Sequence, residues 1–329
     1  MKKWFALFMF ALIAVILVAC GEDNEKESST SEGNAAGEVE AATNFPEKAI
    51  EIIVPYSAGG NSDTLTRIVS EEASKNLPNG QRYVIVNKEG GGTTIGMLEA
   101  AKSKTDGYTL AMAPVSSLYI APIVSKADYS PDDFDVIASI TGTTQVVFVN
   151  KDSKFEDVDS WISYAKENRV TVGTAGETHK LIIQTLAKKL GLKLEVIPYT
   201  GNSEATVALL SGELDMVIGG LPNILANDEF RALFSVASER SEHAPEIPTL
   251  KESGYDFVVD FNNILVAPKG LPDDVKKIIS ETFTKALESK TVQEQLAQMG
   301  FDMLQLSEEE VKEMMDEQKE VYGALLENL

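Results

Sequence analysis

Val54-Pro55-Tyr56-Ser57-Ala58-Gly59-Gly60-Asn61-Ser62-Asp63 is the stretch on which the reading of this chain turns. Ahead of it, Ile50 to Val54 is rich in β-branched residues, the composition of a strand, and Pro55 ends it. Two glycines and polar residues follow, then a helical pattern that carries Leu65, Ile68, Val69 and Leu77. A strand therefore feeds a helix through a glycine turn. Such a turn aims free backbone N–H groups at one spot, and the helix dipole adds positive partial charge behind them. The site suits a small anion without any charged side chain.

The same alternation runs through the rest of the body. Strands are expected at Ile50–Val54, Tyr83–Asn87, Thr109–Ala113, Phe134–Ile140, Gln145–Asn150, Val170–Gly173, Leu194–Pro198, Leu214–Ile218, Ala232–Val236 and Ile264–Ala267. Helical patterns lie between many of them, at 63–77, 93–103, 156–168, 178–190 and 203–211. Two firmer helices close the chain. One starts at Pro272, and the other opens with a capping box of Ser307 and Glu310. Alternating strands and helices imply an α/β fold with parallel sheets covered on both faces, and ligands of such sheets sit beyond the carboxyl ends of the strands.

Several loops placed at those ends share the chemistry of the first. They are Gly90-Gly91-Gly92-Thr93-Thr94, Pro114-Val115-Ser116-Ser117, Gly173 to His179, Pro198 to Ser203, and Gly219-Gly220-Leu221-Pro222-Asn223. Glycine turns are ordinary punctuation one at a time, but here they gather where an α/β sheet places its site. The candidate ligand contacts are Tyr56, Ser57, Gly59, Gly60, Asn61 and Asp63; Ser116 and Ser117; Thr174, Ala175, Gly176, Glu177, Thr178 and His179; and Tyr199, Gly201, Asn202, Gly219 and Gly220.

Location is written at the N-terminus. Lys2 and Lys3 precede an apolar run from Trp4 to Val18, which is short for a membrane span and suits a secretory signal over residues 1–19. Leu17-Val18-Ala19-Cys20 resembles the bacterial lipobox, in which the cysteine receives lipid and begins the mature protein. Cys20 is the single cysteine, so a disulfide within the chain is excluded. Residues 20–44 then form an acidic linker with seven carboxylates, one lysine and no apolar period, a composition that stays disordered. As a flexible coil it would reach about 25–30 Å.

The whole chain has 29 basic and 51 acidic residues among 329, a net charge of −22. That excludes a nucleic-acid surface, which needs clustered Lys and Arg. It also repels anions, so local N–H donors must outweigh a field that salt screens within about 8 Å. A small ligand enclosed in a cleft meets that condition.

Catalytic signatures are missing. Gly59-Gly60-Asn61-Ser62-Asp63 has no P-loop lysine, and Gly201-Asn202-Ser203-Glu204-Ala205 fails the nucleophile elbow at its last position. His179 and His243 are the two histidines, and no metal-ligand spacing of the usual kind occurs. A binding protein without cofactor or metal is the expectation.

These residues resemble the solute-binding proteins of tripartite tricarboxylate transporters, from about Phe45 to Tyr322. The resemblance is carried by Val54-Pro55-Tyr56 with Gly59, Gly60 and Asp63, by Asn87-Lys88 before the triple glycine and Gly96, and by Asp106-Gly107-Tyr108-Thr109-Leu110. Pro198-Tyr199, Leu210-Ser211-Gly212-Glu213-Leu214-Asp215, Leu221-Pro222, and Ser238-Glu239-Arg240 with Pro245-Glu246-Ile247-Pro248-Thr249 extend it. It implies a two-lobed, periplasmic-binding-protein-like fold (type II-like) that closes on a carboxylate and delivers it to two multispanning membrane subunits. Lobe 1 would take 45–145 plus 265–329 and lobe 2 would take 146–264, with a monomer expected. A lipid-tethered sensor presenting a carboxylate to another surface protein is the alternative.

Departures from the family pattern point at specificity. Asn61 and Asn202 stand where the family usually has glycine, Gly219-Gly220 where it has a small polar pair, and Glu177 where small polar residues are usual. The paired glycines would enlarge the cleft, and Glu177 would oppose a polyanion. Asp63 either pairs with Arg67 or meets the ligand, and in the second case its loss would leave the unliganded fold unharmed. Tyr56 and Tyr199 either wall the cleft or pack at strand ends. His179 either starts its helix as a satisfied residue or contacts the ligand.

Overall fold

Eleven strands, divided between two sheets, organise the chain in the computed structural model, which describes residues 44–199, 201–225, 227–327 and 329. The leader, Cys20 and the linker up to residue 43 lie outside the described residues. The strands are β1 Ile50–Val54, β2 Tyr83–Asn87, β3 Thr109–Pro114, β4 Phe134–Gly142, β5 Gln145–Asn150, β6 Val170–Ala175, β7 Leu194–Tyr199, β8 Met216–Gly220, β9 Phe230–Ser235, β10 Asn262–Pro268 and β11 Asp302–Met303. One sheet has the order β11-β4-β10-β3-β1-β2, the other β7-β6-β8-β5-β9.

Neither sheet is purely parallel, contrary to the sequence expectation. In the first, β1 runs parallel to β2 and β3, while β10 is antiparallel to β3 and β4. In the second, β6 is parallel to β7 and β8, while β5 is antiparallel to β8 and β9. The antiparallel members are the strands on which the chain changes sheets. β4 leads into β5 through Thr143 and Thr144, and the segment after β9 returns through β10. A strand arriving from the other sheet needs no covering helix to reverse direction, so the helix-by-helix pattern that signals parallel pairing does not apply to it. Gln145 is already paired with Gly220 in the second sheet, and Asn263 with Pro114 in the first.

Helices cover the sheets at Asn61–Ser74, Thr94–Ala101, Val158–Glu167, Gly176–Leu190, Asn202–Leu210, Asp273–Glu288, Lys290–Gln298 and Glu308–Leu326. The first begins two residues before the expected start and ends at Ser74, so Leu77 packs from a loop while still buried. Short helices at Ser116–Tyr119 and Pro222–Leu225 were not legible in the sequence, since four residues show no period.

The largest buried cluster joins both sheets. Ile53, Val115 and Leu118 from the first side pack into the same continuous core as Val147, Leu181 and Ile218 from the second, together with Tyr322 and Leu325. The C-terminal helix Glu308–Leu326 touches both the Ser116–Tyr119 and the Gly176–Leu190 helices. Tyr119 donates to the Met315 carbonyl (3.3 Å) and Tyr322 to the Asp260 carbonyl (3.3 Å). At the other end, Asp302 of β11 accepts from Thr144 Oγ1 (3.0 Å) and Ser241 Oγ (2.8 Å). Among the described residues, no helix is long and apolar enough to cross a membrane.

Candidate functional site

Among the helices that begin at the strand-end loops singled out above, three start from residues that cannot cap them, and Thr94–Ala101, after Thr93, is uncapped as well. The N-cap residues of the three are Gly60, Ala175 and Gly201, which carry no side-chain acceptor. Their first-turn N–H groups are therefore open to an outside acceptor. Two helices that start elsewhere close themselves: Val158–Glu167 has the box Asp157/Ser160, and Glu308–Leu326 has Ser307/Glu310, whereas Lys290–Gln298 has no side-chain cap. Asp273–Glu288, with Pro272 at its N-cap, fills its first turn with Asp273 and Asp274. Each of the three first turns at the strand-end loops also carries one acid, Asp63, Glu177 and Glu204; Asp63 is paired with Arg67 and Glu177 with Lys180, and the uncapped backbone N–H groups remain donors suited to a carboxylate.

Asp63 builds the first loop. Its Oδ2 accepts from the Gly59 N–H (2.8 Å) and Arg67 Nε (3.0 Å), and its Oδ1 from Asn87 Nδ2 (3.0 Å) and the Arg67 guanidinium (2.9 Å). Asn87 Nδ2 also donates to the Tyr56 carbonyl (3.1 Å), which pins both ends of the turn to the end of β2. Burial pushes the Asp63 carboxyl up, but the bonds from Arg67, Gly59 and Asn87 outweigh it and hold the group below its ordinary value. Both oxygens are taken by the protein's own donors, so the pairing with Arg67 is what the structure shows. Gly59 has φ +81°, which a side chain would strain, while Ser57, Gly60 and Asn61 are exposed at the loop tip.

Tyr56 is half-buried, and burial pushes its phenol up to about 12. Ser116 and Ser117 are buried at the end of β3. Ser117 Oγ turns back to the Pro114 carbonyl (2.7 Å), and its own carbonyl accepts from Tyr129 (2.8 Å), a residue no sequence signal marked.

On the second sheet, Thr174 is fully buried beneath its loop, whereas Ala175, Glu177 and Thr178 are half-buried and Gly176, at φ +80°, is exposed. Glu177 pairs with Lys180 at 3.0 Å, which offsets the charge expected to oppose a polyanion. His179 is 8% exposed, and its Nε2 lies 2.9 Å from Gln145 Oε1. Burial holds the imidazole down at about 4, against a smaller opposing pull from the Ala175 carbonyl, so the ring is neutral at pH 7.

Gly219 does not widen a cleft. A Cβ there would meet Asn223 Nδ2 at 2.9 Å, the Phe148 ring at 3.4 Å and Asn202 Oδ1 at 3.5 Å, so the space freed by the missing side chain is taken by two carboxamides and a ring edge. At Gly220 a Cβ would touch Pro222 and Thr143, each at 3.4 Å. Tyr199 lines a shallow groove of about 370 Å³ along helix Asn202–Leu210 with Ser203, Val207, Glu204 and Glu213. Two carboxylates make that groove unfit for an anion. Gly201 is half-buried at the head of the same helix. Among the described residues no cluster of three or more His, Cys, Asp or Glu is arranged to hold a metal ion.

Two mixed α/β sheets between which the chain crosses twice define a two-lobed, periplasmic-binding-protein-like fold. The family model of the tripartite tricarboxylate transporter family receptor matches residues 65–329. The chain belongs to that receptor family. It is 31% identical over 296 residues to the "UPF0065 protein in gbd 5'region" of Cupriavidus necator, covering 88% of this chain and 89% of the relative. A solved periplasmic transporter superposes with a TM-score of 0.77 at 28% identity, over 86% of this chain and 97% of the other. MatC from Rhodopseudomonas palustris, solved with bound malate, gives 0.74 at 25% identity, over 85% and 99%.

Proposed function

We infer that this receptor captures a small carboxylate between two lobes and delivers it to a membrane transporter of the tripartite tricarboxylate type. The supporting observation is the set of uncapped N-termini at Gly60, Ala175 and Gly201, each at the carboxyl end of a parallel strand. Malate bound to MatC is consistent with the same ligand chemistry. In this reading the ligand contacts are the loops Tyr56–Asn61, Ser116–Ser117, Ala175–Thr178, Gly201–Asn202 and Gly219–Gly220, with Asp63, Thr174 and His179 holding them in place. Tyr199 serves the outer groove.

The lobes are those drawn from the sequence, 45–145 with 265–329 and 146–264, with each boundary moved by one to three residues so that β5 and β10 stay whole. Cys20 carries lipid and holds the protein on the outer face of the membrane, and two multispanning subunits receive the closed form. Ligand favours closure through contacts that exist only when both lobes meet it.

A thermal-shift panel of mono-, di- and tricarboxylates tests the ligand class. At least one member at 100 times its dissociation constant stabilises the protein by about 2.7 kcal/mol. A response confined to neutral or cationic solutes sinks the reading. For the anchor, a Cys20→Ala chain is expected in the soluble fraction of fractionated cells, and retention in the membrane pellet contradicts lipidation.

A further inference from the structure

We propose that His179 is a positioning residue that ties the helix behind the Ala175–Thr178 loop to both crossings of the chain between the two sheets. His179 sits in the first turn of helix Gly176–Leu190, three residues after the loop glycine. Its Nε2 lies 2.9 Å from Oε1 of Gln145, the first residue of β5 after the first crossing. Gln145 is itself 5% exposed, and its Nε2 donates to the Thr143 carbonyl within that crossing (3.3 Å). The imidazole rests on Phe261, with ring centroids 5.7 Å apart and planes inclined by 35°. Phe261 is the last residue before β10, at the end of the second crossing.

The crossings are also joined directly. The Thr143 N–H donates to the Phe261 carbonyl (2.8 Å), and Asn263 Nδ2 donates to Thr143 Oγ1 (3.0 Å) and Thr141 Oγ1 (3.1 Å). One imidazole therefore bears on both strands that must bend if the lobes move.

The chemistry suits a fixed strut. A carboxamide oxygen only accepts, so the neutral ring donates to Gln145 through its Nε2–H tautomer. Both partners, Gln145 and Phe261, are uncharged, and the contact is shielded from water. A helix moves as a rigid rod, so a displacement of the Gly176 loop is passed to the hinge with no flexible joint between. This role goes beyond the carboxylate reading, because the strut works for any solute that moves the loop.

The test uses the full chain without any solute, so its failure is separate from a failure of the ligand reading. Amide hydrogen exchange is followed at Thr143, Leu221 and Val236, which donate to the Phe261, Thr144 and Gln145 carbonyls. His179→Phe keeps a ring against Phe261 and removes the donor, while Gln145→Leu removes the acceptor. Each is expected to speed exchange at these amides about ten-fold while β2 is unchanged, and the double variant is no faster than either single one. His179→Gln, which can still donate, restores the rates to within about two-fold. Unchanged rates at the three amides, additive effects, or equal acceleration across both sheets would overturn the proposal.

Discussion

Asp63 shows how a residue with ligand-like credentials becomes scaffold. Its carboxylate is almost fully buried and organises the Gly59 turn, Asn87 and Arg67 at once. Asp63→Ala leaves those donors facing a gap and should lower the stability of the unliganded protein by about 2 kcal/mol, read from the urea midpoint. The cost is tempered because Arg67 is half exposed and can turn to water. The folded carboxyl titrates below its ordinary 3.8, so its contribution is present above that pH and is lost as pH falls further. His179 loses stability in the same direction, on acidification, but because burial disfavours its charged form. Its folded value of about 4 lies under the ordinary 6.5, so between these values the unfolded chain binds the extra proton. Stability should therefore decline by up to about 3 kcal/mol as pH drops from 6.5 to 4. Denaturation of His179→Phe across the same window should show a flatter profile, and an unchanged slope would refute the assignment.

At the scale of elements, the helix starts differ in capping: Ser307 closes its helix, whereas Gly60 leaves its own open. Ser307→Ala breaks a complete capping box and should cost about 1 kcal/mol in chemical denaturation. Gly60→Asp should do the reverse. Gly60 has φ −78° and ψ 172°, and an added Cβ meets nothing nearer than the Ser57 carbonyl at 3.5 Å. The new carboxylate caps the open N–H groups and adds about 0.5 kcal/mol of stability, while occupying the place of a bound acid. A rise in melting temperature with loss of every carboxylate response is the expected pair of results. Stabilisation with an intact response would place the ligand elsewhere.

For the whole molecule, net charge governs encounter while short-range donors govern capture. A chain of net charge −22 repels a carboxylate before the loops can hold it. Raising ionic strength from 10 to 150 mM should therefore speed association about two- to five-fold in stopped-flow measurements. A rate that falls with salt would require a local positive field at the cleft mouth. The C-terminal helix Glu308–Leu326 adds a second constraint at this scale, since it packs on helices from both sides of the molecule.

Strand positions, the helix starts and the strand-end loops were legible from residue order, because period, β-branching and glycine placement act over a few neighbours. The capping box at Ser307 is local in the same sense. Pairing direction was not legible: β5 and β10 look like any apolar run, and only their arrival from the opposite sheet makes them antiparallel. The occupant of the space at Gly219 was equally hidden, since Asn202 and Asn223 reach it from separate helices. The partners of Asp63 and His179 divide along the same line. Arg67, four residues on, was readable from helical spacing, whereas Asn87, Gln145 and Phe261 meet their partners through contacts between distant segments, which no local pattern encodes.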